Sequence, residues 1–282
     1  MHKTLLFLFL ISISIFTSAK AEEYIFGVTP WQRGQSEDQI KQLYKPMLDW
    51  LEKKTGHRFI VVSTNSYQQM IDYTADGTLD FVSISPAPYI LAKKRNNKLK
   101  VILIEQRFIG DASSSSYKSL IISRKDNEKV ETINDLKNKK FGFVSKESTS
   151  GYNYPMKMFI DEGINISEYF NKIYFLGSHP RVTDAVKHGS IDAGATWTFN
   201  YSKAQAKYGD IFRILWESSD IPNLALVANG NIPEKDILLI KNLLININPE
   251  LLKGIPADGF ISGDDSFYDG VRDVLKSVES NR

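Results

Sequence analysis

Short apolar runs alternate with segments of helical periodicity along most of the chain. YIFGV at 24–28, RFIVVS at 58–63, LDFVSIS at 79–85 and residues 99–105 read as strands. Between Ser36 and Lys54, the residues Ile40, Leu43, Met47, Trp50 and Leu51 fall on one helical face. Ser36 and Gln39 fit a capping box at its start, and Pro46 predicts a kink or a fresh start within it. Helices are expected near 67–75 and from Pro88 to Arg95. The pattern restarts after residue 117, with strands at 118–124, 140–144, 172–176, 191–195 and 211–215 and helices between them. Two helices, at about 233–246 and 266–277, finish the chain. Alternating β and α units predict an α/β protein of open, mostly parallel sheets flanked by helices. The polar DASSSS at 111–116 reads as a loop approaching a crossing between two such units.

The chain has 282 residues, 42% of them hydrophobic and 24% charged, which suits one large or two modest globular units. Its first residues change the picture. A short basic start at His2 and Lys3, an apolar run from Leu5 to Phe16 and the A-x-A form of Ala19-Lys20-Ala21 predict a signal peptide over 1–21, cleaved after Ala21. Export to the periplasm follows. Loss of Lys3 and Lys20 turns the net charge of +2 into a balance of basic and acidic residues, so no nucleic-acid partner is expected. There is no cysteine, hence no disulfide, no thiolate metal site and no lipid-anchor residue behind the signal. His2, His57, His179 and His188 show no ligand spacing, so neither metal nor cofactor is expected.

Ligands of open α/β sheets sit beyond the carboxyl ends of the strands, on loops and helix N-termini. The richest such junction is Ser145-Lys146-Glu147-Ser148-Thr149-Ser150-Gly151, after strand 140–144 and before a helix over about 151–161. Three adjacent hydroxyls there suit an anion, aided by free backbone N–H groups and the helix dipole. From these residues alone, ordinary N-capping by Ser or Thr is the more common reading, because helix starts rich in these residues are frequent. A second junction, Gly177-Ser178-His179-Pro180, offers a ring N–H from His179, or only a packed loop histidine. Tyr67, after strand 58–63, and Tyr117, before strand 118–124, are phenolic donors in reach of a cleft or simply core residues.

Taken together these segments resemble the phosphate/phosphite/phosphonate-binding periplasmic proteins of ABC importers. In the first half the resemblance runs through YKPMLDWLEKKTG at 44–56, Tyr67, GTLD at 77–80 and SPAPY at 85–89. In the second it runs through YKS at 117–119, DLKNK at 135–139, STSG at 148–151, His179 and GSIDAG at 189–194. It implies the type II periplasmic-binding fold, with two lobes joined by two crossings. Residues 22–116 and 220–282 would form lobe 1, and 117–219 lobe 2. It also implies that Ser148, Thr149 and Ser150 grip the anion, with Tyr67, Tyr117 and His179 at the remaining contact positions. The sequence departs from the family where aminoalkylphosphonate binders carry carboxylates. Those positions fall near Phe199 and Leu224, after Trp197, and Pro180 stands where the family usually has Asp.

The function expected is capture of a small oxyanion in an interlobe cleft and delivery to an inner-membrane ABC permease, by a monomer that closes on its ligand. A sensing module that signals to a membrane histidine kinase would use the same fold. A Ser/His hydrolase is disfavoured by the absence of a G-x-S-x-G elbow, so the protein is not expected to be an enzyme.

Overall fold

The computed structural model describes residues 21–28, 37–109 and 112–281. The expected leader, apart from Ala21, and the Ser36 cap lie outside the described residues.

The chain opens with a parallel βαβ unit. Strands β1 (Glu23–Val28) and β2 (Arg58–Ser63) pair in parallel with Tyr24 opposite Phe59, and helix α1 (Glu37–Thr55) is the crossover between them. The expected stripe of α1 faces the core. Met47 and Leu51 are buried, and Ile40, Leu43 and Trp50 pack against the same cluster. α1 runs unbroken through Pro46, not restarting there. Pro46 and Gln42, whose carbonyl loses its partner, are both exposed, so water replaces the missing hydrogen bond.

Helix α2 (Tyr67–Asp76), strand β3 (Phe81–Ile84), helix α3 (Pro86–Arg95) and strand β4 (Lys100–Ile109) extend this half. Its sheet is completed by strands from far along the chain. Strand β13 (Ala225–Ala228) inserts between β3 and β4, antiparallel to both, and β14 (Gly259–Ile261) pairs antiparallel with β4. The hydrophobic pattern did not reveal either strand. ALVA is too short to show a period, and its burial on both faces removes the alternation that marks a half-exposed strand.

The second sheet has the order β11-β7-β10-β8-β9. Its strands are β7 (Ser119–Arg124), β8 (Lys140–Phe143), β9 (Lys172–Phe175), β10 (Ala193–Trp197) and β11 (Phe212–Glu217). Helices α4 (Tyr154–Asp161), α5 (Ile166–Tyr169), α6 (His179–Lys187) and α7 (Thr198–Tyr208) connect them. Both faces are covered: Ile121 of β7 joins one core cluster, and Leu120 and Ile122 the other.

The open α/β architecture is as expected, but pairing within it is mixed and not mostly parallel. β1–β2, β1–β3, β8–β9 and β8–β10 are parallel, whereas β7 and β13 pair antiparallel with both neighbours. The parallel pairs are built by βαβ crossovers. The antiparallel ones arise where the chain passes between sheets and arrives from the opposite end.

That passage also corrects the reading of 111–116 as a loop. Among the described residues, Ala112–Ser114 is a strand, β5, folded back on β4, and Ser116–Tyr117 is a strand, β6. β6 pairs antiparallel with β12 (Ile221–Pro222), so the outward and return segments lie side by side between the sheets. Ladder hydrogen bonds satisfy the backbone of this polar stretch, which its composition does not foretell.

Helix α8 (Glu234–Ile245) covers the first sheet, and α9 (Asp269–Ser280) follows a 3₁₀ turn at Asp265–Tyr268, starting later than expected. Val271 and Leu275 of α9 belong to a first-half cluster, while Val278 reaches one in the second.

Candidate functional site

The hydroxyl-rich junction is held open by its own backbone. After β8 the chain reaches Ser148, whose extended backbone and side chain cap a π-helical turn at Thr149–Asn153, which continues into α4. The Ser148 hydroxyl accepts from Gly151 N–H at 3.1 Å. Asn153, fully buried, donates through Nδ2 to the carbonyls of Ser148 at 2.9 Å and Lys146 at 3.2 Å, tying the loop to the turn. Gly151 is required by space: a Cβ there would lie 2.4 Å from Val144 Cγ2 and 2.8 Å from Ser148 Oγ. A wide turn that departs from α-helical bonding frees N–H and hydroxyl groups, which is why such turns recur at binding sites.

The structure brings all six sequence-derived site residues to one cavity. Tyr67, Tyr117, Ser148, Thr149, Ser150 and His179 line a space of about 30 Å³, with Ser85, Trp197, Leu224 and Pro256 completing its wall. Four helix starts converge on it. Tyr67 is the first residue of α2, Ser85 caps α3, Ser148–Ser150 lead into α4, and His179 is the first residue of α6. Each start brings the positive end of its helix dipole to the cavity.

The two sheets meet at this cavity. Thr149 Oγ1 accepts from Ala87 N–H at 2.9 Å, joining the turn of one half to α3 of the other. Pro86 and Pro88 carry no N–H, so Ala87 supplies the single backbone donor of those three residues. Tyr67, from the first half, packs in a core cluster of the second, and Tyr154 and Trp197 pack in one of the first. The halves are thus closed on each other around the space.

Among the described residues, none that lines the cavity is formally charged. Burial pushes the Tyr67 phenol up to about 12, and its hydroxyl is in hydrogen-bonding reach of Ser148. Tyr117 is raised further, again by burial, with its hydroxyl in reach of Thr149 and Ser150. Both remain protonated donors at any physiological pH. His179 is 5% exposed, and burial lowers it to about 3, which keeps it neutral. Asn200 Nδ2 donates to Thr196 Oγ1 at 3.0 Å, and that hydroxyl stands 3.4 Å from His179 Nδ1. A Thr196 hydroxyl that accepts from Asn200 still has its proton to give to Nδ1, and in that tautomer the ring N–H is on Nε2.

Phe199 and Leu224, near which the resemblance puts the carboxylates of aminoalkylphosphonate binders, part company. Leu224 lines the cavity, and Phe199 packs behind Trp197 with ring centres 5.2 Å apart. Two wall residues were not singled out from sequence. Ser85 was readable in principle, as a cap between β3 and α3; its hydroxyl is buried without a hydrogen-bond partner. Pro256 carries no such signal, because it arrives from the late return of the chain.

Two interleaved α/β lobes, two adjacent crossings and a closed, donor-lined space between them define a two-lobed binding protein. The family described as "ABC transporter, phosphonate, periplasmic substrate-binding protein" matches residues 26–268, and the chain belongs to it. It is 26% identical over 275 residues to the phosphate-import protein PhnD of Mycolicibacterium smegmatis, covering 88% of this chain and 84% of that one. A binding-protein component of an ABC phosphonate transporter from Pseudomonas aeruginosa has the same fold. The TM-score is 0.78 at 18% identity, over 92% of this chain and 87% of that one. So does PhnD1 of Prochlorococcus marinus in complex with methylphosphonate, at TM-score 0.78 and 21% identity, over 91% of this chain and 98% of that one. The family is one of transport components; it supports the importer reading and not the kinase-sensor alternative. No helix among the described residues is long and apolar enough to cross a membrane.

Proposed function

We propose that the protein captures a small tetrahedral oxyanion of the phosphate, phosphite or alkylphosphonate class and presents it, in the closed form, to an inner-membrane ABC permease. The observation that carries this reading is the donor-lined cavity itself: hydroxyls, phenols and a neutral imidazole at four helix starts, with no carboxylate among the described lining residues to repel an anion. Dipoles fixed in a closed, low-dielectric space stabilise charge more strongly than they do in water. Tyr67, Tyr117, Ser148, Thr149, Ser150 and His179 are the ligand contacts in this reading, and His179 donates through Nε2. Ser85 joins them.

The crossing pair β6–β12 supports lobe limits of 22–116 with 220–282, and 117–219. Cleavage after Ala21 releases the mature protein, a monomer without enzymatic activity, to the periplasm. The hydroxyls fit static contacts better than a nucleophile, because His179 bonds to Thr196 and no carboxylate orients it.

A thermal-shift screen of the mature protein against phosphate, phosphite, methylphosphonate, sulfate and nitrate tests the proposal. A phosphorus oxyanion should raise Tm in a concentration-dependent way. No shift with any phosphorus oxyanion sinks it.

A further inference from the structure

Beyond the anion cavity lies a second, larger chamber of about 370 Å³. Tyr117 and Trp197 line both spaces and form the partition between them. The remaining wall of the chamber includes Arg107, Phe199, Asn223 and Asp258. Arg107 sits on β4, near the crossing, and its side chain is only 12% exposed. Its guanidinium stacks on the Phe199 ring, 3.9 Å from the centre. Asp258 approaches Nη1 no closer than 4.0 Å, and Nη2 is buried with no hydrogen-bond partner.

An unmet guanidinium N–H in a half-enclosed space is costly, because it has lost water without gaining an acceptor. Lys203 adds a second cation, 4.5 Å from the Phe199 ring centre, and burial together with the charge of Arg107 lowers its pKa. Among the described residues, Asp258 is the only carboxylate on the chamber wall, and Arg107 already faces it. An ammonium brought here would meet the Arg107 guanidinium. A carboxylate or phosphoryl oxygen would meet an N–H that lacks a partner, over an aromatic wall suited to a short alkyl chain.

We propose that the chamber receives the substituent of a bifunctional oxyanion, and that Arg107 binds a second anionic group at its far end. The ligand class is then a phosphonate or phosphate ester carrying a terminal carboxylate or a second phosphoryl group. This rests on the anion-capture reading above and adds the recognition of the tail.

The test is calorimetric titration of the mature protein with methylphosphonate, propylphosphonate and 3-phosphonopropionate. The last two differ chiefly in tail charge. The carboxylated compound should bind about tenfold or more tighter than the propyl compound. In Arg107→Gln that ratio should fall to about threefold or less. Equal or weaker binding of phosphonopropionate in the wild type overturns the inference, as does a ratio retained in Arg107→Gln. If Arg107→Gln does not fold, the wild-type ratio decides, together with Asp258→Asn, in which the preference for the carboxylated tail should grow; a preference that shrinks there counts against it. Should none of the three compounds nor phosphate bind, anion capture itself has failed. Should methylphosphonate bind without any gain from the charged tail, only the tail assignment is lost.

Discussion

The two adjoining spaces solve recognition in opposite ways. The inner cavity is small and, among the described residues, free of formal charge, and relies on hydroxyls, phenols and helix starts aimed at one point. The outer chamber is more than ten times as large and holds an arginine, an aspartate and three aromatic side chains. A formal cation in the inner space would need desolvation whenever the lobes close empty; fixed neutral donors avoid most of that penalty. In the outer space the cation is held by stacking on Phe199 and faces Asp258. Common anion chemistry is therefore assigned to the uncharged site, and discrimination among tails to the charged one.

The sharpest way to break this division is to remove an inner donor. Thr149→Ala and His179→Ala should each weaken oxyanion binding by about 1.5–3 kcal/mol, one to two decades in Kd, without unfolding the protein. Thr149→Ala also leaves the Ala87 N–H without its acceptor, so closure should suffer too. Unchanged calorimetric affinity in both variants would remove the inner cavity from consideration.

Next in size is Gly151→Ala. The added Cβ would sit 2.4 Å from Val144, and displacing the turn should cost about 1–3 kcal/mol of stability. Chemical denaturation reads the loss directly, and a neutral result would mean that the turn is far more pliant than its packing implies.

The outer space is probed by charge. Aminoethylphosphonate should bind at least about tenfold more weakly than the best simple oxyanion, about 1.4 kcal/mol or more, because its ammonium meets Arg107 and not a free carboxylate. If it proves the tightest ligand, Asp258 is its acceptor and the polarity of the chamber is the reverse of that argued here.

The smallest effect concerns Glu105, a buried carboxyl that feels the charge of Arg107. Burial raises its carboxyl to about 7, against a hydrogen bond from Ser83 and the charge of Arg107, which lower it. A folded-state value above the unfolded one means an extra bound proton in the native protein. That contribution to stability is complete below the unfolded value of 4.5 and is lost as pH rises through 7. Glu105→Gln should flatten the decline, with Tm a few degrees above wild type at pH 8.5 and little changed near pH 5. A wild-type Tm that does not fall between those pH values contradicts the protonated carboxyl.

Much of this was legible from periodicity. The α1 stripe, the β1–α1–β2 unit and the strand-to-helix junctions at Ser148 and His179 are local features, set by side-chain spacing and by turn and cap residues. Those signals do not reach to pairing partners. β13 was invisible because four buried residues carry no alternation, and the serines of 112–116 look like loop until β4 and β12 supply their ladders. For the same reason Ser85 and Pro256 were not assigned to the cavity.

The sequence by itself determined which junctions could donate hydrogen bonds, since Ser148, Thr149, Ser150 and His179 sit where helix starts expose their N–H groups. Only the tertiary structure decided that Tyr67, Ser85 and Tyr117 face those same donors across closed lobes, and that Arg107 stacks on Phe199 with an N–H unmet. Local propensity is written residue by residue. The meeting of Arg107 with Phe199, 92 positions apart in number, depends on how two sheets pack about their paired crossings, and no short-range pattern encodes that distance.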